Sequence, residues 1–313
     1  MAEPRSVVVT RRTVHVGGFT LAADVFAPAA EPQPIVLCCL AGGGMSRRYW
    51  DLLPPNDDSY SFALWMVRRG VTVIALDHVG TGESALPPGP APLLGRAIAA
   101  NDAAFRLLCD ELADTGIGGG PIPNPRRIGV GHSMGALLTV RQQAVHRTYD
   151  ALALLGFSLA GLPDHVPPEI LDAIGDGSPD DELLAELTVR MFGTAYPTVG
   201  VVVDQGHRSG DPARQTLVAA GTRLLGAGGL LSLLPGNVAE DAARLRVPVL
   251  LLNGAHDPLI SDEPADPGRF GTASRFASHV LPGAGHNHNI AASRELFWTE
   301  VLRWAESLPL YQV

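Results

Sequence analysis

Apolar and polar positions alternate in blocks along this sequence, and the blocks predict β-strands separated by helices. The first two blocks, residues 6–16 and 19–26, are rich in β-forming residues and meet at Gly17-Gly18, which predicts a hairpin. Residues 34–40 form a continuous apolar run, which is typical of a strand buried on both faces of a sheet, and residues 71–76 predict another buried strand. Further strands are predicted at 127–131, 151–156, 247–252 and 277–281.

Segments with helical spacing lie between these apolar runs. Residues 95–114 repeat apolar side chains every three to four positions. Further helices are predicted near residues 58–69, 133–146 and 293–307. Strands that alternate with helices form βαβ units and therefore a mainly parallel sheet, with the hairpin adding antiparallel strands at one edge. The predicted fold class is α/β, with a mostly parallel central sheet flanked by helices.

The alternation stops after residue 158 and resumes at Val247. Between these points, residues 160–245 hold helix-like pieces separated by proline and glycine. An α/β fold of 313 residues often forms one domain that carries an insertion. We therefore predict an α/β core domain of residues 1–159 and 246–313, interrupted by an inserted helical cap, or lid, of residues 160–245.

Composition limits the classes of partner. Hydrophobic residues make up 46% of the chain and charged residues 18%, which provides a large core and argues against disorder. The net charge of −9 gives no electrostatic reason to bind nucleic acid or an anionic membrane. We expect a small-molecule partner and no nucleic acid, and the sequence does not indicate an oligomeric state.

The N-terminal residues and the cysteines bear on the cellular compartment. Residues 1–16 lack the apolar core of a signal peptide, and no apolar stretch approaches the ~20 residues that span a bilayer. We therefore expect a cytoplasmic protein without stable membrane insertion. The odd number of cysteines does not suggest a disulfide framework, and the adjacent Cys38 and Cys39 are expected to be core residues of a strand.

A short glycine-flanked motif, Gly131-His132-Ser133-Met134-Gly135, lies between a predicted strand and a predicted helix. It fits the pattern G-x-S-x-G, in which a sharp strand-to-helix turn makes a serine hydroxyl project. The next N–H, that of Met134, points towards the oxygen of an acyl group under attack, at a helix N-terminus that favours negative charge. Ser133 is the predicted nucleophile and Met134 a predicted oxyanion donor.

A serine hydroxyl needs an adjacent base, and the base needs a group that orients it. Asp257 follows the apolar run 247–252 directly, at the edge where open parallel sheets place their sites. His286 follows the last predicted strand on a glycine-rich loop. We predict His286 as the general base and Asp257 as the acid that orients it. The rival carboxylates are Asp204 and Asp262.

The order Ser133, Asp257, His286 resembles the catalytic triad of the α/β-hydrolase superfamily, and the match covers nearly the whole chain outside the insertion. Residues 77–84 also resemble the D-x-x-G-x-G-x-S turn of this superfamily, so Asp77 is interpreted as structural and is a weak rival for the triad acid. The resemblance implies a serine hydrolase related to esterases, lipases and thioesterases. It implies no cofactor for the acyl-enzyme chemistry.

Three other histidines lie beside the predicted triad. His288 is two residues from His286 and is the alternative base, although the glycines before His286 favour the latter. The His-x-His spacing has no third ligand nearby, so no metal site is predicted. His132 and His256 are interpreted as packing or local residues.

The second oxyanion donor is expected on the loop after the buried run 34–40. Superfamily members often carry His-Gly-x or Gly-Gly-Gly-x there, whereas this chain has Ala41 followed by three glycines, so the usual histidine is missing. Bare glycines let backbone N–H groups face a substrate closely. Gly43 is the first choice as donor and Gly42 the second.

The predicted cap carries leucine and methionine, which suggests an apolar acyl or alcohol group in the substrate. Met191 and Leu231 are the predicted pocket residues. The sequence thus predicts hydrolysis of a carboxylic ester, with a thioesterase, a lactonase, an acyltransferase or a non-catalytic ligand receptor of the same fold as alternatives.

Overall fold

An eight-stranded sheet forms the centre of the protein. The structure is a computed structural model, which describes residues 6–87, 91, 93–175, 177–200, 212–222, 224–259, 267–271 and 273–309. The strands lie side by side in the order β1-β2-β4-β3-β5-β6-β7-β8. β2 is antiparallel to β1 and to β4, and all other neighbours are parallel. The strands are β1 Val7–Val16, β2 Phe19–Pro28, β3 Ile35–Leu40, β4 Thr72–Leu76, β5 Arg126–His132, β6 Ala151–Leu155, β7 Val249–Gly254 and β8 Phe276–Leu281.

Helices cover both faces of this sheet. The described α-helices are α1 Phe62–Val67, α2 Leu94–Asp114, α3 Met134–His146, α4 Pro168–Ile174, α5 Asp181–Phe192, α6 Pro212–Ala219, α7 Gly229–Leu233, α8 Ala239–Ala243 and α9 Arg294–Ser307. One buried cluster joins the sheet to α2, α3 and helices of the insertion, and the other joins it to α1, α9 and α6 of the insertion. Successive residues of β3 alternate between the two clusters, so Cys38 and Cys39 point to opposite faces.

The predicted α/β class, the hairpin and the parallel sheet are confirmed. Five of the runs became strands β3 to β7, whose side chains pack on both faces of the sheet. The sixth became β8, which is parallel to β7 but lies at the edge of the sheet and is only partly buried. The helix predicted near 58–69 is shorter, since α1 starts after Ser61, whose hydroxyl accepts a hydrogen bond from the Leu64 N–H and caps the helix.

Five helices, α4 to α8, lie between β6 and β7, in the segment predicted as a cap. Arg141 of α3 holds two of them: its guanidinium lies 3.0 Å from Asp181 of α5 and 3.9 Å from Asp241 of α8. The segment also reaches the loop after β3, where Met45 and Gly221 form an antiparallel β-bridge. Its treatment as a separate cap stays a prediction.

None of the helices in the described part of the chain is both long and apolar enough to cross a bilayer.

Candidate active site

Ser133 lies at the turn from β5 to α3 and has an unusual backbone conformation. Its φ of 54° and ψ of −123° fall in a region that non-glycine residues rarely adopt. Its N–H donates to the carbonyl of Leu155 at 2.9 Å, which fixes the turn against the end of β6. The side chain is partly exposed. A strained, partly exposed serine at this turn is the geometry that the G-x-S-x-G motif predicts.

The glycines of this motif are required by close backbone packing. A Cβ at Gly135 would overlap the carbonyl oxygens of Leu40 and Ala41, at the end of β3. A Cβ at Gly131 would overlap the backbone of Ala136 in the first turn of α3. Helix α3 therefore begins directly against the sheet, with Ser133 at its N-cap position.

Asp257 and His286 form a hydrogen-bonded pair at the ends of β7 and β8. His286 Nδ1 lies 3.1 Å from each carboxylate oxygen of Asp257. A carboxylate only accepts, so the neutral imidazole carries its proton on Nδ1 and keeps a lone pair on Nε2. The Asp257 side chain is fully buried, whereas that of His286 is 18% exposed. The pair therefore has a hidden carboxylate and an accessible imidazole.

The environment keeps Asp257 ionised. Burial alone raises the pKa of this carboxyl, but hydrogen bonds from His286 and then from His288 outweigh burial and hold the pKa well below its usual range. The Leu259 N–H donates a further bond of 2.9 Å to the carboxylate. An ionised carboxylate stabilises the imidazolium that forms when a histidine accepts a proton.

His132 connects the serine turn to the histidine loop. Its Nε2 lies 2.8 Å from the backbone oxygen of His286, and a carbonyl only accepts, so Nε2–H is the donor. The two imidazole rings have centroids 4.8 Å apart. Burial lowers the pKa of His132 well below its usual value, and the nearby imidazoles of His286 and then His288 lower it further. His132 is therefore neutral, and its ring also stacks on Tyr49.

The structure thus brings the three predicted triad residues to one edge of the sheet. A Cβ at Gly156 would lie 3.1 Å from Asp257 Oδ2 and 3.2 Å from His286 Nδ1, beside the ring of His132. No hydrogen bond joins the described side chains of Ser133 and His286. In enzymes without substrate this contact is often long and tightens in the substrate complex.

The predicted oxyanion donors surround Ser133. A Cβ at Gly42 would lie 3.1 Å from Ser133 Cβ, and one at Gly43 would lie 3.8 Å from Met134 Cβ. Within the described residues, the N–H groups of Gly43 and Met134 donate to no acceptor. Two free backbone donors beside a serine hydroxyl can hold an anionic oxygen.

The loop that carries Gly42 and Gly43 is attached to residues 77–84. Asp77 is buried and accepts hydrogen bonds from the backbone and guanidinium of Arg47 and from the Glu83 N–H. His78 Nε2 lies 2.8 Å from the Ala41 oxygen. Sequence reasoning assigned nothing to Arg47 or His78. For His78, the neighbouring Asp77 of the turn motif was the available signal.

A largely apolar cavity lies between the core, at residues 79–87, 91, 93 and 94, and the insertion. It has a volume of about 650 Å³, including the part open to solvent. Its wall includes Leu86, Leu94, Leu184, Ala185, Thr188, Tyr196, Leu224 and Gly226. A Cβ at Gly226 would lie 3.2 Å from Met134 Cε, so the end of the Met134 side chain lies beside this wall of the cavity.

The predicted pocket residues lie elsewhere. Leu231 is completely buried in the cluster beneath the sheet face that carries α2 and α3, and Met191 packs against the same cluster. Neither side chain contributes to the wall of the cavity. On α5 the wall residues are Asp181, Leu184, Ala185 and Thr188 instead, so the helix faces the cavity with its first two turns.

The competing residues occupy other positions. His288 is buried, stacks on Phe297, and holds Nε2 at 3.8 Å from Asp257 Oδ2, farther than His286. His256 is exposed. Asp204 and Asp262 lie outside the described residues. Across the part of the chain that the structure describes, no group of three or more His, Cys, Asp or Glu side chains is placed to hold a metal ion.

The eight-stranded sheet with its flanking helices, and a serine turn beside an Asp–His pair, define a protein of hydrolase architecture. The sequence profile described as "Alpha/beta hydrolase family" matches residues 35–297, and the chain belongs to this family. Membership of this family supports a hydrolase activity for the protein.

Solved structures agree on the fold. A monoacylglycerol lipase of Paleococcus ferrophilus shares 17% identity at a TM-score of 0.62, over 92% of this chain and 98% of that one. An esterase of M. tuberculosis shares 18% at 0.56, over 96% and 93%. A thioesterase domain of the curacin biosynthetic pathway shares 18% at 0.56, over 94% and 99%. Among curated proteins, no sequence matches this chain.

Proposed function

We propose that this protein is a serine hydrolase that cleaves a carboxylic ester with an apolar acyl or alcohol part, through an acyl-enzyme. One observation carries the proposal: Ser133 lies on a strained turn beside free backbone donors, and its neighbour His132 hydrogen-bonds to the loop that carries the Asp257–His286 pair. The apolar cavity next to Met134 supports the choice of substrate class.

The reaction follows from the positions of the donors and acceptors. His286 Nε2 accepts the proton of the Ser133 hydroxyl as Oγ attacks the ester carbon, and Asp257 stabilises the resulting imidazolium. The N–H groups of Met134 and of Gly43 or Gly42 hold the carbonyl oxygen as it becomes negative. His286 then returns the proton to the departing alcohol. Water repeats the sequence on the acyl-enzyme and releases the acid.

Labelling with a fluorophosphonate probe tests the nucleophile. The probe should modify the wild-type protein and fail to modify Ser133→Ala. Ser278→Ala removes an exposed serine on β8 and is the matched control, which should label as the wild type does. Absence of labelling on the wild type would favour a non-catalytic receptor with this fold.

A substrate panel tests the scissile bond. Aryl esters, thioesters and lactones with the same acyl chain should be compared by kcat/KM on purified protein. The proposal requires that esters react best and that Ser133→Ala removes the activity. A preference of tenfold or more for thioesters or lactones would move the assignment to a thioesterase or a lactonase with the same residues, and a preference for alcohols over water as acceptor would indicate an acyltransferase.

A further inference from the structure

The loop that carries the candidate oxyanion donors has no side chain of its own to fix its shape. It reads Ala41-Gly42-Gly43-Gly44 and follows directly after β3. Glycine peptides adopt a wide range of backbone angles, so their N–H groups point in one direction only when neighbours hold them. Oxyanion donors stabilise charge only when they are held in place before the reaction. One backbone hydrogen bond, from the Met45 N–H to the Gly42 carbonyl at 3.1 Å, closes a turn within the loop. This bond leaves the first peptide of the loop, between Ala41 and Gly42, to be held by other elements.

His78 provides such a restraint at the first peptide of the loop. Its Nε2–H donates to the carbonyl oxygen of Ala41 at 2.8 Å, and its ring is 4% exposed. In a planar trans peptide the C=O and the N–H point in opposite directions. By holding the Ala41 oxygen, His78 therefore sets the direction of the Gly42 N–H and the path of the chain into Gly43.

The backbone of His78 is itself firmly held. Its carbonyl accepts two hydrogen bonds from Thr81, one from the N–H and one from the hydroxyl, each 3.0 Å long. The neighbouring Asp77 carbonyl accepts from the hydroxyl of Ser84 at 2.9 Å. The Asp77 carboxylate accepts the N–H of Arg47 at 2.6 Å, so the loop is attached to the same turn at both of its ends.

The ionisation state of His78 suits this role. Burial lowers the pKa of the imidazole, which keeps the ring neutral at ordinary pH. A neutral ring with its proton on Nε2 is a donor towards Ala41 and carries no charge near the developing oxyanion.

We propose that His78 is a positioning residue, which acts through the Ala41 carbonyl to aim the backbone N–H groups of Gly42 and Gly43 at the oxyanion. His78, which follows a different strand, supplies the hydrogen bond that a histidine within the loop often supplies in this superfamily and that Ala41 cannot. The role rests on the proposed function. His78 acts on the loop and does not contact the reacting atoms.

Three substitutions separate the hydrogen bond from the bulk of the ring. The amide N–H of Gln reaches about as far from the backbone as histidine Nε2, whereas the amide of Asn is one methylene shorter and Leu has no donor. His78→Leu and His78→Asn should lower kcat roughly 10- to 100-fold, because small misplacements of catalytic groups have effects of this size. KM should change less than about threefold, and His78→Gln should recover most of the loss.

Binding of a transition-state analogue provides the second readout. Ser133 Oγ should add to the carbonyl carbon of a trifluoromethyl ketone that carries the acyl chain of the best ester. The product is a hemiketal whose oxyanion lies in the site. The Ki of the ketone should rise in parallel with the loss of kcat/KM in His78→Leu and His78→Asn, while Ki for the corresponding non-hydrolysable ether stays within about threefold. Substituting a residue that merely stabilises the fold would change neither the Ki of the ketone relative to that of the ether nor the kcat relative to KM.

A buried substitution far from the loop is the control for stability. Leu108→Val in α2 removes a buried methylene and should lower Tm while leaving kcat within twofold. His78→Leu with a kcat within threefold of wild type would overturn the proposal. So would a folded His78→Gln that is as slow as His78→Asn, a comparison that holds even if His78→Leu does not fold.

The two proposals fail in different ways. A wild-type protein that hydrolyses no ester, or a Ser133→Ala variant that still does, contradicts the proposed function and the role of His78 with it. Normal ester hydrolysis in the wild type with unaffected His78 variants contradicts the positioning role alone.

Discussion

Ser133 has a backbone conformation that glycine adopts at lower cost, with φ 54° and ψ −123°. Such strain costs about 1–3 kcal/mol for a non-glycine residue, and a glycine at this position relieves it. Glycine also loses more conformational entropy on folding, which cancels about 0.5–1 kcal/mol of that relief. Ser133→Gly should therefore unfold with a free energy about 1 kcal/mol higher than Ser133→Ala. Both variants should lose ester hydrolysis by about 10⁶ in turnover, as in comparable enzymes. Urea denaturation and kinetics measure the two effects, and an alanine variant as stable as the glycine variant would show that the turn is unstrained.

The base can be distinguished from its neighbour by mutation. His286→Ala should remove activity by about 10⁶, because it takes away the proton acceptor. His288→Ala should cost less than about tenfold, since Nε2 of His288 lies 3.8 Å from Asp257 whereas His286 Nδ1 lies 3.1 Å away. Measured kcat values on one ester decide the matter. A His288→Ala variant slower than His286→Ala would mean that the base lies two residues further along the chain.

At the level of elements, the first turns of α5 form one wall of the apolar cavity. Ala185→Leu adds three carbons there and should shorten the preferred acyl chain. Each methylene that loses its contact costs about 0.8 kcal/mol, so the ratio of kcat/KM for octanoyl over acetyl esters should fall by tenfold or more.

Two variants on residues outside the cavity wall are the controls for that experiment. Met191→Ala and Leu231→Ala should lower stability and depress all esters alike, because both side chains pack in the core cluster. If they reorder the esters while Ala185→Leu does not, the substrate occupies a different part of the insertion.

The strands and the order of the triad residues were accessible from the sequence, for a local reason. A strand buried on both faces is a largely apolar run, and Ser133 and Asp257 each follow such a run by a few residues. His286 follows the last strand, whose exposed residues include Ser278 and His279. The pocket was not accessible in the same way. Helical spacing shows that α5 has an apolar face, but Leu187 on that face enters the core while Leu184 also borders the cavity. What a face meets depends on tertiary packing.

The contact from His78 to Ala41 was out of reach for a related reason. The two residues are 37 positions apart and belong to different loops. The absence of a histidine at position 41 is visible in the sequence. The sequence does not show that the imidazole of His78, just after β4, takes its place, because that contact depends on the parallel pairing of β3 with β4.

For the whole molecule, two buried neutral histidines make stability depend on pH. Burial lowers the pKa of both His78 and His132 below the value of an unfolded chain, which is about 6.5. Between these values the unfolded state binds more protons than the native state, so stability is full above pH 6.5 and falls as pH decreases below it. The slope should approach about 1.4 kcal/mol per pH unit for each histidine.

Chemical denaturation between pH 5 and 7.5 measures this slope, and His132→Gln should remove about half of it. Asp257 affects stability in a separate pH range. Because the pKa of its carboxyl is lower in the native state than in the unfolded chain, its contribution to stability is lost only below about pH 4. A flat stability curve between pH 5 and 7 would contradict the assignment of His78 and His132 as buried and neutral.

The order of strands in the sheet has a consequence for the synthesis of the protein on the ribosome. His132 and His286 are 154 residues apart in the chain and meet only when β8 pairs with β7. A ribosome adding 5–20 residues per second needs roughly 8 to 30 s to cover that distance. Throughout this interval the nascent chain carries the serine without its histidine, and a serine hydroxyl alone attacks esters poorly. The proposed hydrolysis should therefore begin only after synthesis has passed β8 and β8 has paired with β7.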